Sequence, residues 1–362
     1  SQLSGKGAKI YKGHDKKNVM DSDLVVYSSA INNENVELAE ARKIQLPIVR
    51  RAEMLGELLK LKNTSIAVSG THGKTSTTSM MGSILTEALF YPTLVVGGVV
   101  KNLNANALLG KGDIIVAEAD EFDKSFLQLS PTHSIITNID SEHLDCYGSK
   151  ENLVKAFNQF ANSTAFYGSI VLCVDDPILK RLIPNISRPI ITYGFSGDAE
   201  FQAVNRKFRD FRSFFDVIHK GEILGSIELK VPGAHNIKNA LATIALSIDL
   251  GIKFNHIKKG LNNYTGVKRR FEIKGKVNEI IVVDDYAHHP TEVSATLKAV
   301  QNGWGKKRII AIFQPHLFSR TKDLISEFAD SLSKVDEIII IDIYAARESP
   351  ISGFSVNNLF DL

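Results

Sequence analysis

A lysine set between a glycine-rich turn and a run of hydroxyl residues is equipped to hold phosphate. The segment Gly70-Thr71-His72-Gly73-Lys74-Thr75-Ser76 has that composition. It follows the apolar run Ser65–Val68 and opens onto Met80–Leu85, whose spacing is helical. A strand, a tight turn and a helix N-terminus aim backbone N–H groups at one point. The helix dipole adds partial positive charge there, and Lys74 adds a full one. The Thr75 hydroxyl comes next, where it can reach a magnesium ion on bound phosphates. The usual phosphate loop has four residues between its glycines, whereas this one has two, Thr71 and His72. The segment reads as an ATP phosphate cradle, with a Ser/Thr-rich helix start as the plain alternative.

Ligands of open α/β sheets bind at the carboxyl ends of the strands, so the next such ends matter. Asp113–Glu118 runs into Glu118-Ala119-Asp120-Glu121-Phe122-Asp123, four carboxylates in six residues. His133–Asn138 runs into Asn138-Ile139-Asp140-Ser141-Glu142-His143-Leu144-Asp145. Carboxylates and an imidazole beside a triphosphate are what magnesium needs. Any one of these acids alone reads as a helix cap or solvated turn, but three strand ends facing one way favour a metal site. Glu118 is its expected principal ligand, with Thr75 beside it and His143 as the second-ion ligand. Further on lie Asp284-Asp285-Tyr286-Ala287-His288-His289-Pro290-Thr291-Glu292 and Gln314-Pro315-His316-Leu317-Phe318-Ser319-Arg320-Thr321. Their guanidinium, imidazoles and carboxylates suit a substrate carboxylate, phosphate or ribose, although Thr291 and Ser319 could simply cap helices. His235 and Asn239 share the start of a helix, where an Asn amide can read an adenine edge. Lys268-Arg269-Arg270 is either a solvated charge run or a phosphate contact.

These groups need a scaffold. Apolar runs near 65–68, 93–96, 113–118, 133–138, 169–174 and 189–194 alternate with helical segments, as βαβ units do, and suit a parallel sheet covered on both faces. Residues 199–231 read as an antiparallel extension of two or three strands, and His235–Leu250 as a helix. Before the loop, Ala8–Tyr11, Asp23–Ser28 and Ile48–Val49 read as short strands, with helices over Asn35–Gln45 and Arg51–Leu61. After Val267 a further α/β unit is expected, with buried strands at Ile280–Asp285 and Arg308–Phe313 and another starting at Glu337. A doubly wound nucleotide domain opens with a strand and a glycine-rich turn; neither precedes residue 8, so the first unit is expected to be incomplete at its start and the last at its end.

The 362 residues allow two or three domains. A net charge of +3 is too small to argue for nucleic acid. Cys146 and Cys173 lack metal-type spacing and read as ordinary core residues of a reducing compartment. No run approaches the ~18 apolar residues of a membrane span, and no signal peptide is visible, so a cytoplasmic protein without membrane insertion is expected.

Several of these segments together resemble the Mur ligases of peptidoglycan synthesis: 70–75, 118–121, 138–145, Gly233–Ala240, Arg269-Arg270-Phe271, 284–292 and 313–321. The resemblance covers essentially the whole chain, and the short loop becomes a mark of the family. It implies an α/β, three-domain architecture, a central P-loop parallel sheet flanked by partial Rossmann-like domains. The expected division is 1–62 for a UDP-sugar, 63–267 for ATP and 268–362 for an amino acid. The last two segments point to the branch joining L-alanine to UDP-N-acetylmuramate, with ATP and Mg2+ as cofactors and an acyl phosphate intermediate. Carried over, Lys74, Glu118, His143, His288 and Arg320 are catalytic, and Thr75, Glu118 and His143 hold metal. Gly70, Thr71, His72, Gly73, Lys74, Thr75, Ser76, His235, Asn239, Arg270 and Asp285 bind ATP. Tyr286, His288, His316 and Arg320 face substrate, with Ser28 and Ser29 on the uridine side. His72 is expected to belong to the loop signature rather than to act as a base. The chain departs from the pattern at Leu317, where some relatives carry a second arginine. Other members carry a carbamylated lysine on the helix bearing Lys150 and Lys155, and that modification is not expected here. A monomer or weak homodimer is expected. The alternatives are a ligase that attaches a murein tripeptide to the same sugar nucleotide, and a non-catalytic protein that binds it.

Overall fold

The computed structural model describes residues 3–362 except Ser141, His143, Asp210, Lys306 and Arg347, and the side chains of Leu144 and Asp145. At its centre is a ten-stranded sheet. Two short strands precede it, β1 (Val25–Tyr27) and β2 (Ile48–Arg50), paired parallel to one another, with helices α1 (Val36–Lys43) and α2 (Arg51–Lys60). Asn35 caps α1, its side-chain oxygen accepting from the N–H groups of Glu37 and Leu38. The expected strand at Ala8–Tyr11 does not form. Ile10 and Tyr11 are exposed there, and among the described residues no neighbour supplies the ladder a strand needs.

The central strands are β3 (Thr64–Ser69), β4 (Thr93–Val100), β5 (Ala105–Leu108), β6 (Ile114–Glu118), β7 (His133–Ile136), β8 (Ile170–Cys173), β9 (Ile190–Gly194), β10 (Phe201–Arg209), β11 (Arg212–His219) and β12 (Glu222–Leu229). Their order is β12-β11-β10-β9-β8-β7-β3-β6-β4-β5. From β4 through β10 neighbours run parallel, while β5, β11 and β12 are antiparallel additions. Five of the six residues of β3 are buried, and Ile66, Ala67 and Val68 are completely inaccessible, which is why it reads as a continuous apolar run. The chain leaves β3 toward β6 and β4 on one side and later toward β7 and β8 on the other. The order therefore reverses at β3/β7, and a crevice opens beyond the strand ends there.

Helix α3 (Lys74–Glu87) starts directly from the phosphate loop and packs against α7 (Ala234–Asp249) and α8 (Phe254–Asn263). The short α4 (Leu144–Tyr147) leads to α5 (Lys150–Ser163), and α6 (Pro177–Leu182) follows β8. Phe157 and Phe160 of α5 clamp Phe126, with ring centroids 5.1 and 5.0 Å away. All three rings are fully buried, each worth roughly 1.5–3 kcal/mol of apolar burial. They anchor the acidic segment after β6, where Asp123 and Lys124 take left-handed backbone (φ +51° and +62°).

Beyond residue 267 lie β13 (Glu272–Val277), β14 (Ile280–Asp284), α9 (Pro290–Trp304), β15 (Ile310–Phe313), α10 (Phe318–Asp323), α11 (Ile325–Leu332), β16 (Glu337–Ile340) and α12 (Asn357–Phe360). The expected buried strands of one α/β sheet are not found. β13 and β14 form an antiparallel hairpin, and β15 and β16 a separate parallel pair. Ile280 is 67 % exposed and Ile312 71 %. Their apolar runs look like core strands in sequence, but among the described residues a core forms on one face only, around Phe313, Phe328, Leu297 and Val293.

Candidate functional site

The phosphate loop is shaped by two glycines with no room for a side chain. Gly70 has φ +129° and Gly73 φ +86°, and a Cβ on Gly73 would lie 2.6 Å from Asn239 Oδ1. Left-handed backbone there costs a non-glycine residue free energy, and the neighbour forbids it sterically. The loop is pinned to the strand end beside it. Thr71 N–H donates to Asn138 O (3.0 Å), His72 N–H to Asn138 Oδ1 (2.9 Å) and Thr137 Oγ1 to His72 O (2.6 Å).

Lys74 folds back onto this turn. Its ammonium donates to Gly70 O (2.7 Å) and Thr71 O (3.2 Å), and to both oxygens of Glu121 (2.7 and 3.0 Å). Glu121 is 1 % exposed and is a site residue that spacing alone did not single out from its acidic neighbours. Burial alone would lower the Lys74 ammonium, but Glu121, with Asp120 and Glu118, keeps it above its ordinary value. Burial raises the Glu121 carboxyl to about 7 against the pull of that ammonium. Tyr147 Oη donates to Glu121 O (2.6 Å) and fixes the backbone.

Glu118 ends β6, in register with Val68 of β3. Its Oε1 accepts from Gly97 N–H (2.6 Å) and its Oε2 from Thr75 Oγ1 (3.2 Å). Burial raises its carboxyl. A carboxylate oxygen and a hydroxyl thus share one corner beside the loop, the hard oxygen donors magnesium takes. His143, the expected third metal group, lies outside the described residues.

The residues after 267 close over this corner. Lys268 N–H donates to Val99 O (2.9 Å), laying the crossover along β4. Arg270 Nη1 donates to Glu292 Oε1 (3.1 Å), so the basic run is not merely solvated. Asp285 spends its carboxylate locally, accepting from Phe271 N–H (3.1 Å), Ala287 N–H (3.0 Å) and Thr296 Oγ1 (2.8 Å); burial raises it. His289, not Thr291, caps α9. Thr291 instead donates through Oγ1 to Asp140 Oδ2 (2.7 Å), reaching the central sheet. His72 Nε2 is 3.2 Å from the same oxygen, and its Nδ1 is 3.5 Å from Glu292 Oε1. Burial would lower the His72 imidazole, but Asp140 and Glu292 lift it to about 9. The loop histidine is therefore an imidazolium in a network between two regions, beyond its part in the loop backbone.

Arg320 Nη2 is 2.8 Å from Glu142 Oε1, both side chains nearly buried. Arg320 Nη1 is buried without a hydrogen-bond partner among the described residues. Around it stand Tyr286, His288 and His316, with ring centroids 4.8–6.3 Å apart, and Tyr344, 5.4 Å from His316. Tyr344 belongs to this group only because a bridge pairs its backbone with His316. Ser319 binds Glu348, its N–H donating to Oε2 (3.0 Å) and its hydroxyl to Oε1.

A cavity of about 600 Å3 runs from the loop along α7, the size of a small-molecule site. His72, Gly73, Thr75, Ser76, Asp140 and Glu292 line its phosphate end, and Cys173, Tyr193 and Phe195 its far end. His235 lines it too, and burial lowers its imidazole to about 4. Asn239 lines it as well and sits against Gly73. Lys150 also lines the cavity. Ser28 lies in the turn after β1, where its Oγ accepts from Ala30 N–H (3.3 Å), a local turn bond.

Three family profiles match in order: the Mur ligase family catalytic domain over 1–63, the Mur ligase middle domain over 68–247 and the Mur ligase glutamate ligase domain over 269–355. The UDP-N-acetylmuramate–L-alanine ligase of Salinibacter ruber is 45 % identical over 359 residues, 99 % of this chain and 75 % of that protein. The ligase of the same description from Desulfosudis oleivorans is 48 % identical over 357 residues, 97 % of this chain and 77 % of its own. The crystal structure of the UDP-N-acetylmuramate-alanine ligase of Thermotoga maritima superposes with a TM-score of 0.84 at 30 % identity, over 99 % of this chain and 78 % of that one. Loop, strand ends and full-length similarity agree, and the chain belongs to the Mur ligase family.

Proposed function

We propose that this chain joins L-alanine to the lactyl carboxylate of UDP-N-acetylmuramate in peptidoglycan precursor synthesis, driven by ATP through an acyl phosphate. The observation that carries this reading is the meeting of two sets of groups at one cavity. His72, Gly73 and Thr75 come from the central sheet, and Arg270, Asp285 and Glu292 from the region after 267. In the first step a carboxylate oxygen attacks the γ-phosphorus and the bond to ADP breaks. Charge gathers on phosphoryl oxygens, and preorganised donors are worth most in such a water-poor setting. The loop N–H groups and Lys74 supply them, and Glu121 keeps Lys74 charged and in place. Thr75 and Glu118 would hold magnesium, which neutralises phosphate charge when bound. In the second step the amine attacks the acyl carbon and phosphate leaves, with the free Nη1 of Arg320 available to the amino-acid carboxylate.

On this reading residues 1–62 take the UDP-sugar, 63–267 ATP and 268–362 the amino acid, in a cytoplasmic monomer or weak homodimer. Among the described residues no helix is long and apolar enough to cross a membrane. Phosphate release from ATP by the full-length protein should require both UDP-N-acetylmuramate and L-alanine. Release without either, or a murein tripeptide outcompeting L-alanine, would sink the reading.

A further inference from the structure

Glu292 lies in the first turn of α9 with a side chain only 13 % exposed. Its two oxygens face different sites. Oε1 takes Arg270 Nη1 at 3.1 Å and lies 3.5 Å from His72 Nδ1. Oε2 accepts from His288 N–H at 3.1 Å and lies 3.4 Å from His288 Nδ1. An acid near a helix start ordinarily answers the helix dipole. This one instead ties together the phosphate loop, the crossover and the histidine turn. Burial would raise its carboxyl, but His72, Arg270 and His288 hold it well below the ordinary carboxylate value.

The geometry also fixes the tautomer of His288. Nδ1 is 2.7 Å from Tyr286 O, and a carbonyl can only accept, so Nδ1 carries the proton and Nε2 offers a lone pair. The groups acting on this imidazole are Glu292 on α9, Arg320 on α10, Glu142 before α4, and Tyr286 and His316 in the adjoining turns. Burial, aided by Arg320, lowers it, and Glu292, the Tyr286 carbonyl and Glu142 pull the other way.

We propose that Glu292 is a positioning residue coupling the phosphate site to the amine site, fixing His72 and Arg270 with one oxygen and His288 with the other, so that His288 Nε2 accepts the proton of the incoming amine. This rests on the ligase reading above. The ammonium of L-alanine gives one proton to Nε2, the freed amine nitrogen bonds to the acyl carbon, the carbon–oxygen bond to phosphate breaks, and the departing phosphate takes the second nitrogen proton. The proton on Nε2 then passes to water, and the imidazole ends as it began.

The test compares L-alanine with hydroxylamine, which is already unprotonated at neutral pH and traps an acyl phosphate as a hydroxamate without needing a base. In the full-length protein, His288→Gln should lose about 10²–10⁴-fold in amide formation, with a far smaller loss of hydroxamate. Glu292→Gln keeps shape and an acceptor oxygen but loses the charge. The acid limb of its kcat/KM for L-alanine should move to lower pH, because removing a neighbouring negative charge lowers the imidazole. If Glu292→Gln does not fold, Glu292→Asp is the substitute, and weaker amide formation with hydroxamate retained is expected. Equal losses of amide and hydroxamate in His288→Gln, or an unmoved acid limb in the folded Glu292 variant, would overturn the proposal alone. A wild-type protein that forms no hydroxamate overturns the ligase reading with it.

Discussion

Lys74 and Arg270 are both cations held by a nearly buried glutamate beside one cavity, but they are held in different ways. Glu121 follows β6 and Lys74 follows β3, and those strands are adjacent with Val68 opposite Glu118. Backbone ladders fix that pair before any side chain is placed. Arg270 and Glu292 belong to the region after 267, and they reach the loop through His72, as Thr291 does through Asp140. Side chains alone carry much of that junction. The Lys74–Glu121 pair is therefore built into one sheet, whereas the His72–Glu292 contact exists only while the last region sits on that sheet.

The largest break in this comparison should come from Glu121→Ala. It strands a buried ammonium, which costs about 3–5 kcal/mol, read from denaturant unfolding. Lys74→Ala should lower kcat by about 10²–10³-fold with a smaller stability loss, because Glu121, already raised to about 7, can protonate instead of remaining an unpaired charge. A greater stability loss in Lys74→Ala than in Glu121→Ala would show that the loop is not held as described. Arg320→Lys loses the planar fork, and the KM for L-alanine should rise about 10–100-fold, the worth of a charged hydrogen bond; an unchanged KM places the carboxylate elsewhere. Thr291→Val removes one junction hydrogen bond worth about 1 kcal/mol. Its effect should show in amide exchange of residues after 267 and hardly in the central sheet.

The pH dependence sharpens the same contrast. Burial opposes the charge on His72, yet Asp140 and Glu292 raise its pKa from 6.5 to about 9. A raised imidazole contributes stability fully present below the unfolded value and lost as pH rises through the folded one. Exchange protection at the junction should therefore fall between pH 6.5 and about 9, and His72→Gln should flatten that change. Equal sensitivity in the variant would assign the transition to another group.

The phosphate loop, the acidic strand ends and the alternating central strands were legible because each is contiguous. A short run of sequence contains the strand, the turn that follows it and the group it presents, and burial on both faces writes a continuous apolar stretch. The same signal misled for β14 and β15. Ile280 and Ile312 have the composition of core residues, yet both stand exposed in two-stranded sheets. A propensity for strand does not say which surface will cover it. Ala8–Tyr11 failed for the related reason that a strand needs a partner.

The sequence by itself marked the candidate phosphate site: two glycines, a lysine and a threonine stand together at one strand end. Only the tertiary structure decided which acid holds the lysine. Glu118, Asp120 and Glu121 share one acidic run, and burial and distance chose Glu121 for Lys74. It also turned His72, Glu142, Thr291 and Glu292 from loop and cap residues into a junction. The contacts that cross between the regions are far apart along the chain, Thr291–Asp140 by 151 residues and His72–Glu292 by 220, and no local pattern records a contact made by bringing two regions together.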